Sequence, residues 1–505
     1  NSLGSITTYT ATWDLISYGN KRILPYNSTE VIQNHITNTS EHFSRIIDNN
    51  GNITSSQTIN RNGTNPELTT NVAYTGYNSY GNWGIPNKPL SITTTATYKT
   101  KDPVSTSIGY VYNLNGTISS EKRFTGTPKE TTIAYTYYPC GNLHTTTLSA
   151  QGLTSRSTSY EYDSKGRFIT TIEEPDGKES LSVTDPGTGN TISFTGIDNL
   201  TTTYEYDGLG RLSKTTTPLG HDILSTIAWD NTSSDIPSVY YSTVTAPGRP
   251  NLTEYYDSFG RTLRTSGDAF GGTVFVDSEY NPEGTVKKVS WPYRSGDIKR
   301  WTGYSYDDYQ RLTEENNNSL LTQYSYNVNT ITVTYPDQKT KIAVLNSLNQ
   351  PVQITENDNS QIMYDYNSFG QVCSVTTPGN LVSFFYDQYG LRDSIYNSNS
   401  GGVKLSYNAF REPVSQTDAN GLETEVQYDV LGRVTTKTTP EGTITYNYVG
   451  TGNGVRQISS VTGPGGVSEG YTYDGYGRLT QFSRTIQNEI TLNYQYLYDQ
   501  YGNNT

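Results

Sequence analysis

The residues whose types and spacing could do chemistry are carboxylates and guanidinium groups standing four apart. Asp163 and Arg167, Asp207 and Arg211, Asp257 and Arg261, Asp429 and Arg433, and Asp474 and Arg478 repeat one pattern. Gly166, Gly210, Gly260, Gly432 and Gly477 stand directly before the arginines, and Tyr162, Tyr206, Tyr256, Tyr428 and Tyr473 directly before the aspartates. A loop carboxylate can ligate calcium, and a row of arginines can hold an anionic ligand. The loop has its own needs, however. An aspartate ahead of a glycine-bearing turn accepts a hydrogen bond from a backbone N–H two residues on. An arginine just past the glycine stacks on tyrosine or pairs with that aspartate. These residues are therefore read as structural turn residues.

The other candidates are weaker. Glu173-Glu174 and Glu314-Glu315 imitate a glycosidase pair, but adjacent residues on a strand point to opposite faces, so each is read as a solvated pair. His35, His42, His144 and His221 include no two at metal-ligand spacing. No Gly-x-Ser-x-Gly elbow accompanies a histidine and an acid, and there is no phosphate loop. The sequence thus offers no catalytic residue, no metal site and no cofactor motif, and the reading is of a protein that is not an enzyme.

The elements that must hold these residues follow from Thr203 to Pro218. Tyr204 and Tyr206 alternate with Thr203 and Glu205, the period of a half-buried strand. Asp207, Gly208 and Leu209 form the corner, Gly210 takes the left-handed conformation, and Arg211 to Thr215 return. The unit is one β-hairpin. A Tyr followed by Asp or Asn recurs at fourteen such units, and from Tyr306 onward the steps, with the decayed copy at Tyr448 included, are 20, 40, 20, 21, 21, 20, 25 and 25 residues. A hairpin with its turn and return loop needs about that many residues, and a fixed period of this length signals units that bury their faces on their neighbours. Tyr162, Tyr206 and Tyr256 stand 44 and 50 residues apart, so each gap is expected to hold one disguised hairpin. The degenerate copies include Tyr77 to Trp83, Tyr112 to Gly116 and Tyr137 to Leu143.

The octets Tyr160 to Arg167 and Tyr204 to Arg211, with Tyr255 to Arg261, Tyr428 to Arg433 and Tyr471 to Leu479, resemble the repeat of the RHS/YD-repeat family, and the resemblance covers roughly Tyr74 to the end. It implies an all-β fold in which repeated antiparallel hairpins wind into a continuous β-spiral, part of a hollow shell like those of insecticidal toxin complex B and C components, bacterial RHS toxins and the teneurins. It further implies a non-catalytic shell segment of a larger secreted or bacterial cell-surface protein that encloses or presents a C-terminal toxin or effector domain. A cell-surface adhesion or carbohydrate-binding role, with glycans as partners, is the alternative. Asp185-Pro186-Gly187 is similar to the Asp-Pro step at which many RHS shells cut themselves, but the surrounding core pattern is missing and repeats continue well beyond it, so it is read as a turn.

Composition fits a thin wall. Only 32% of the 505 residues are hydrophobic, and 44 of those are tyrosines. That is too little aliphatic material for a thick core, while 12% aromatic content contradicts disorder. The formal charge of −13, without a basic run longer than Lys287-Lys288, argues against nucleic acid. No apolar run approaches a membrane helix, and no membrane insertion is expected. Cys140 and Cys373 are read as buried or inert thiols. Residues 1–70 are expected to form an irregular β segment that caps the first repeats, residues 71–505 one spiral body that continues past Thr505, and helix is expected in less than about a tenth of the chain.

Overall fold

The computed structural model describes residues 7–17, 23–77, 88–231, 235–487 and 489–505. These hold 41 strands, and the helical content is one 3₁₀ turn at Pro464–Gly466. Every strand pair whose register is defined is antiparallel and joins a strand to the next in sequence, from Thr7–Ser17 with Ile23–Asn34 to Leu479–Ile486 with Ile490–Gln495. The chain is a meander of hairpins in two compact units, residues 1–157 with 324–433 and residues 158–323 with 434–505.

Locally, the alternation read in the sequence is the alternation of exposure. In Thr201–Tyr206, Thr202, Tyr204 and Tyr206 are half-buried while Thr201, Thr203 and Glu205 are exposed. Few side chains are buried outright. Tyr98, Leu263, Tyr293 and Tyr366 are among them, whereas Leu181, Val183 and Ile227 remain about half exposed. Residues 23–47 form the strands Ile23–Asn34 and Thr39–Ile47. There the Asn27 side chain donates to the Glu30 carboxylate and caps no helix. Both disguised hairpins are present, as Glu179–Thr184 with Thr191–Thr195 and as Asp222–Trp229 with Tyr240–Thr245. The 40-residue step also hides one, Thr340–Leu345 with Pro351–Thr355, in which Leu345 and Asn346 replace Tyr and Asp. The copy at Tyr77 ends at residues 78–87, outside the described residues.

A β-bulge falls at the tyrosine of most units. Glu205 faces Lys214 but Tyr206 faces Leu212, which leaves Ser213 as the extra residue, and the same shift occurs at Tyr112, Tyr256, Tyr366, Tyr386 and Tyr473. The bulge is where successive hairpins are tied. Tyr386 Oη donates to Val372 O at 2.8 Å, and Val372 is the residue opposite Tyr366 in the preceding hairpin. Tyr407 donates to Arg392 O, opposite Tyr386, at 2.8 Å, and Tyr428 to Pro413 O, opposite Tyr407, at 2.6 Å. Tyr473 bonds Ile458 O at 2.7 Å and Tyr498 bonds Leu479 O at 2.8 Å by the same rule. Tyr206 reaches Thr191 O at 2.9 Å, opposite Thr184 of a disguised hairpin, and Tyr77 likewise donates to Ile53 O. Ring-on-ring stacking between hairpins, as of Tyr240 on Tyr256 at 4.9 Å, is less regular than this phenol-to-carbonyl rung.

Removing one rung isolates its worth. Tyr473→Phe leaves the Ile458 carbonyl without its phenol and should cost about 1 kcal/mol. Tyr473→Ala also removes the packed ring and should cost roughly 2 to 4 kcal/mol. Urea melts of both variants check this, and a Tyr473→Phe change below about 0.3 kcal/mol would show that the hydroxyl is not part of the tie.

Candidate functional site

The repeat turn is the site the sequence singles out, and its geometry is closed on itself. Asp207 Oδ1 accepts from the Leu209 and Arg211 amides, both at 2.9 Å, and Oδ2 accepts from Arg211 Nε at 2.6 Å. The turns at Asp257, Asp307, Asp429 and Asp474 repeat this, with Nε to Oδ2 distances of 2.7, 2.8, 2.7 and 2.7 Å. At Asp163 the side-chain contact is looser, 3.2 Å, and Arg167 also donates to Pro186 O at 3.0 Å. Gly166, Gly210, Gly260, Gly432 and Gly477 have φ of 68°, 79°, 77°, 80° and 73°, and the same conformation is held without glycine at Gln310 and Arg411, φ 62° and 68°. The turn is thus imposed by its hydrogen bonds, and glycine only lowers its strain.

Burial works to raise the carboxyls of Asp257, Asp307, Asp429 and Asp474. The side-chain and backbone bonds of the paired arginine outweigh it and hold all four below the usual carboxylate range. At the open turns of Asp163 and Asp207 the arginine amide is the leading cause of the same downward shift. Arg261 and Arg478 are engaged on their other side too. Arg261 lies 5.1 Å from the Phe259 ring and 4.8 Å from Tyr280, and Arg478 lies 5.2 Å from Tyr476 and 4.4 Å from Tyr498, the tyrosine of the next unit.

The same turn stands where the repeat signature is absent. Asp48 Oδ1 accepts from the Asn50 and Asn52 amides at 2.8 and 2.9 Å, and Asn52 takes the arginine's place with its Nδ2 3.0 Å from Oδ2. Asp185 accepts from the Gly187 and Thr188 amides at 2.7 and 2.9 Å, so Asp185-Pro186-Gly187 is the capped turn of a disguised hairpin. A carboxylate followed by a glycine is the signal that finds both.

Elsewhere the structure spends the candidate groups on contacts. Glu174 is not merely solvated. It pairs with Arg456 Nη1 at 2.8 Å, while Asp176 takes Arg456 Nη2 at 2.6 Å. Glu173 accepts from Ser159 at 3.1 Å and Glu314 from Gln323 at 3.0 Å. His35 meets Thr8, His42 meets Ser40, His144 lies on Tyr138, and His221 lies 2.6 Å from Gln500 O. Among the described residues no three His, Cys, Asp or Glu are grouped to hold a metal ion, and no helix is long and apolar enough to cross a membrane. Both cysteines are free, and Cys140 is exposed rather than buried. Burial pushes the Cys373 thiol up.

One cluster departs from the repeat. Arg264 is buried, donates to Asp277 at 2.6 and 3.0 Å, and pairs with Asp235 at 2.8 Å. Lys299 Nζ and Tyr293 Oη, each 2.7 Å from Asp277, complete the knot. Burial opposes the ionised Asp277, but the bonds from Arg264, Lys299 and Tyr293 prevail and pull its carboxyl down to about 2. A cleft of about 530 Å³ lies beside it, lined by Ile236, Val239, Phe259, Tyr280 and Trp301 together with these charges. Because its cations and anions neutralise one another, the knot fastens the loop at 291–300 to the wall. No single residue type in the sequence announces it.

Residues 247–504 match the sequence model of the teneurin YD-shell family, and residues 182–222 match that of the RHS repeat. No curated protein matches the chain. Among solved structures the chain is similar to the crystal structure of TcdB2-TccC3, at 10% identity and a TM-score of 0.61, over 99% of this chain and 39% of that one. A TcdB2-TccC3-Cdc42 crystal structure aligns at 14% identity and a TM-score of 0.56, over 97% of this chain and 31% of that one. A Photorhabdus luminescens Tc holotoxin pore aligns at 14% identity and 0.53, over 90% and 32%. The chain therefore spans about a third to two fifths of the length of the chains it matches. These likenesses are of fold, and the fold is that of an RHS shell wall.

Two measurements probe the turns. An added Cβ at Gly210 meets nothing closer than Asn190 Nδ2 at 3.7 Å, so Gly210→Val should cost only the left-handed strain of a β-branched residue, roughly 1 to 3 kcal/mol. At Gly477 the same atom would stand 2.4 Å from Asn453 O, and Gly477→Ala should cost at least about 1 kcal/mol more than Gly210→Ala in denaturant melts. The lowered carboxyls of Asp257, Asp307, Asp429, Asp474 and Asp277 bind protons less readily in the folded chain than in the unfolded one. Their stabilisation is complete above the unfolded pKa near 3.8 and is lost as pH falls through the lower folded values. Melts at pH 7, 5 and 3 should show little change from these groups between 7 and 5 and a clear loss at 3. Equal stability at pH 5 and 3 would refute the assignment.

Proposed function

The chain belongs to the teneurin YD-shell family, and on that premise we propose that it is a non-catalytic wall segment of a larger secreted or cell-surface bacterial protein, enclosing or presenting a C-terminal effector or toxin domain. One observation carries the reading. The polar groups of the repeat, which are the groups that could have done chemistry, are spent on holding the wall. The aspartates cap their own turns and bind their own arginines, and the phenols tie hairpin to hairpin. The likeness to TcdB2-TccC3 over 99% of this chain but 39% of that one supports a piece of a longer shell.

A sheet one layer thick has no opposing layer to fill, so its exposed positions can be Thr, Glu and Gln, as in Thr201–Tyr206 and Glu423–Tyr428. Such a lining confines a cargo without offering it one large apolar surface to bind. In the full-length protein the C-terminal domain should resist added protease while the wall is intact and become cleavable once mild denaturant opens it. Equal digestion in both states would overturn enclosure, and retention of the intact protein on a glycan array would then favour the adhesive reading.

A further inference from the structure

Within each compact unit, return loops are covered in order by turns that come some 250 to 280 residues later. In the unit of residues 158–323 and 434–505, Arg456 takes Glu174 and Asp176, and the Tyr501 ring lies 5.3 Å from His221. That ring also passes so close over Gly248 that a Cβ there would stand 2.5 Å from it, and Asn503 donates to Gly248 O at 3.3 Å. The unit of residues 1–157 and 324–433 follows the same order by itself. The Ser347 amide donates to Glu67, Ser368 bonds the Tyr98 amide, Tyr389 packs on Phe124 at 4.8 Å, and Arg156 lies 4.5 Å from Phe410. In each case the covering residue stands in or beside a repeat turn, usually with an aromatic tip.

The next loops of that unit after Gly248 are 270–271 and 291–300. The hairpin Thr262–Ala269 with Gly272–Tyr280 is longer than its neighbours and carries Phe270 fully exposed at its tip, and Ile298 is 91% exposed. Neither loop is loosely held. Arg294 Nη2 donates to Phe270 O at 2.9 Å, Asp297 accepts from the Arg294 amide at 2.8 Å, and Tyr293 bridges to Phe275. Lys299 is fixed on Asp277. The result is a prearranged platform with two apolar side chains facing water and a cation and an anion between them.

We propose that Phe270, Arg294 and Ile298 form the docking platform for a further Tyr-Asp turn of the same wall, supplied by the longer polypeptide that the proposed shell reading implies. The inference rests on the shell reading above. Continuity with the seam argues for it, since the covering turns arrive in chain order, Arg456 first and Tyr501 later, and the platform is next. The chemistry agrees, because an aromatic tip like Tyr501 would bury Phe270 and Ile298, while Arg294 and Asp297 face the polar groups of a capped turn.

The test uses the full-length protein with Phe270→p-benzoylphenylalanine, irradiated in a mixture with ¹⁵N-labelled protein and mapped by mass spectrometry. A Tyr501→p-benzoylphenylalanine sample, expected to crosslink to residues 246–249, is the control for the seam. The expected result at position 270 is an in-chain crosslink to a Tyr-Asp turn beyond Thr505. A crosslink to a second molecule, a crosslink to the effector domain, or no crosslink while the control succeeds would each overturn the proposal. Protease protection of the C-terminal domain is read on the same samples. Its loss would sink enclosure and leave the docking result standing.

Discussion

The wall depends on a hydrogen bond from a tyrosine hydroxyl to a backbone carbonyl one hairpin back. A sheet one layer thick exposes both faces, so it cannot rely on a buried core, and only seven hydrophobic side chains among the described residues are buried outright. What ties each hairpin to the last must then be polar and directional. The tyrosine hydroxyl reaches the carbonyl opposite the preceding unit's tyrosine or the residue in its place, from Tyr366 to Pro351, opposite Leu345, and onward through Tyr386, Tyr407 and Tyr428. Burial raises the phenol pKa at Tyr366, Tyr386, Tyr428 and Tyr473, which keeps the hydroxyl a donor across the ordinary pH range.

The turns solve a second difficulty of a thin wall, the backbone amides at the hairpin tip. At Asp474 one carboxylate oxygen takes two of them, the other takes Arg478, and Arg478 lies on Tyr476 of its own turn and Tyr498 of the following unit. An exposed ion pair alone would contribute little. Here the same carboxylate also satisfies backbone donors, and where asparagine or glutamine replaces the charges, as in Asn367 and Gln371, the backbone bonds persist at 3.0 Å. The charge is a refinement of a turn whose essential feature is an acceptor at its first position.

Contacts between sequence-distant turns supply what the repeat lacks. Tyr98 and Ser368 are almost wholly buried where residues 98–102 meet 366–371, in a protein whose other side chains mostly keep some exposure. The Asp277 knot does the same for the loop 291–300. In both places a polar group is buried only because several partners converge on it, Arg264, Lys299 and Tyr293 in the case of Asp277.

What the sequence by itself determined is local. The alternation of Tyr204 and Tyr206 with Thr203 and Glu205, the acceptor at Asp207 and the left-handed Gly210 each act within a dozen residues, so strand, turn and period are legible, and the family resemblance follows from their recurrence. Copies that had lost the tyrosine, at Asp185 and at Leu345-Asn346, kept the turn acceptor and lost only the recognisable letter. Only the tertiary structure decided which carbonyl each phenol finds, that Glu174 is a partner of Arg456, and that Arg264, Asp277, Tyr293 and Lys299 share one knot. Those pairings depend on bulges that re-aim side chains and on the path by which the chain returns over itself some 250 to 280 residues later. No period of about 20 residues encodes that distance, because each repeat specifies its own hairpin and its contact with the neighbouring ones and nothing further along the chain.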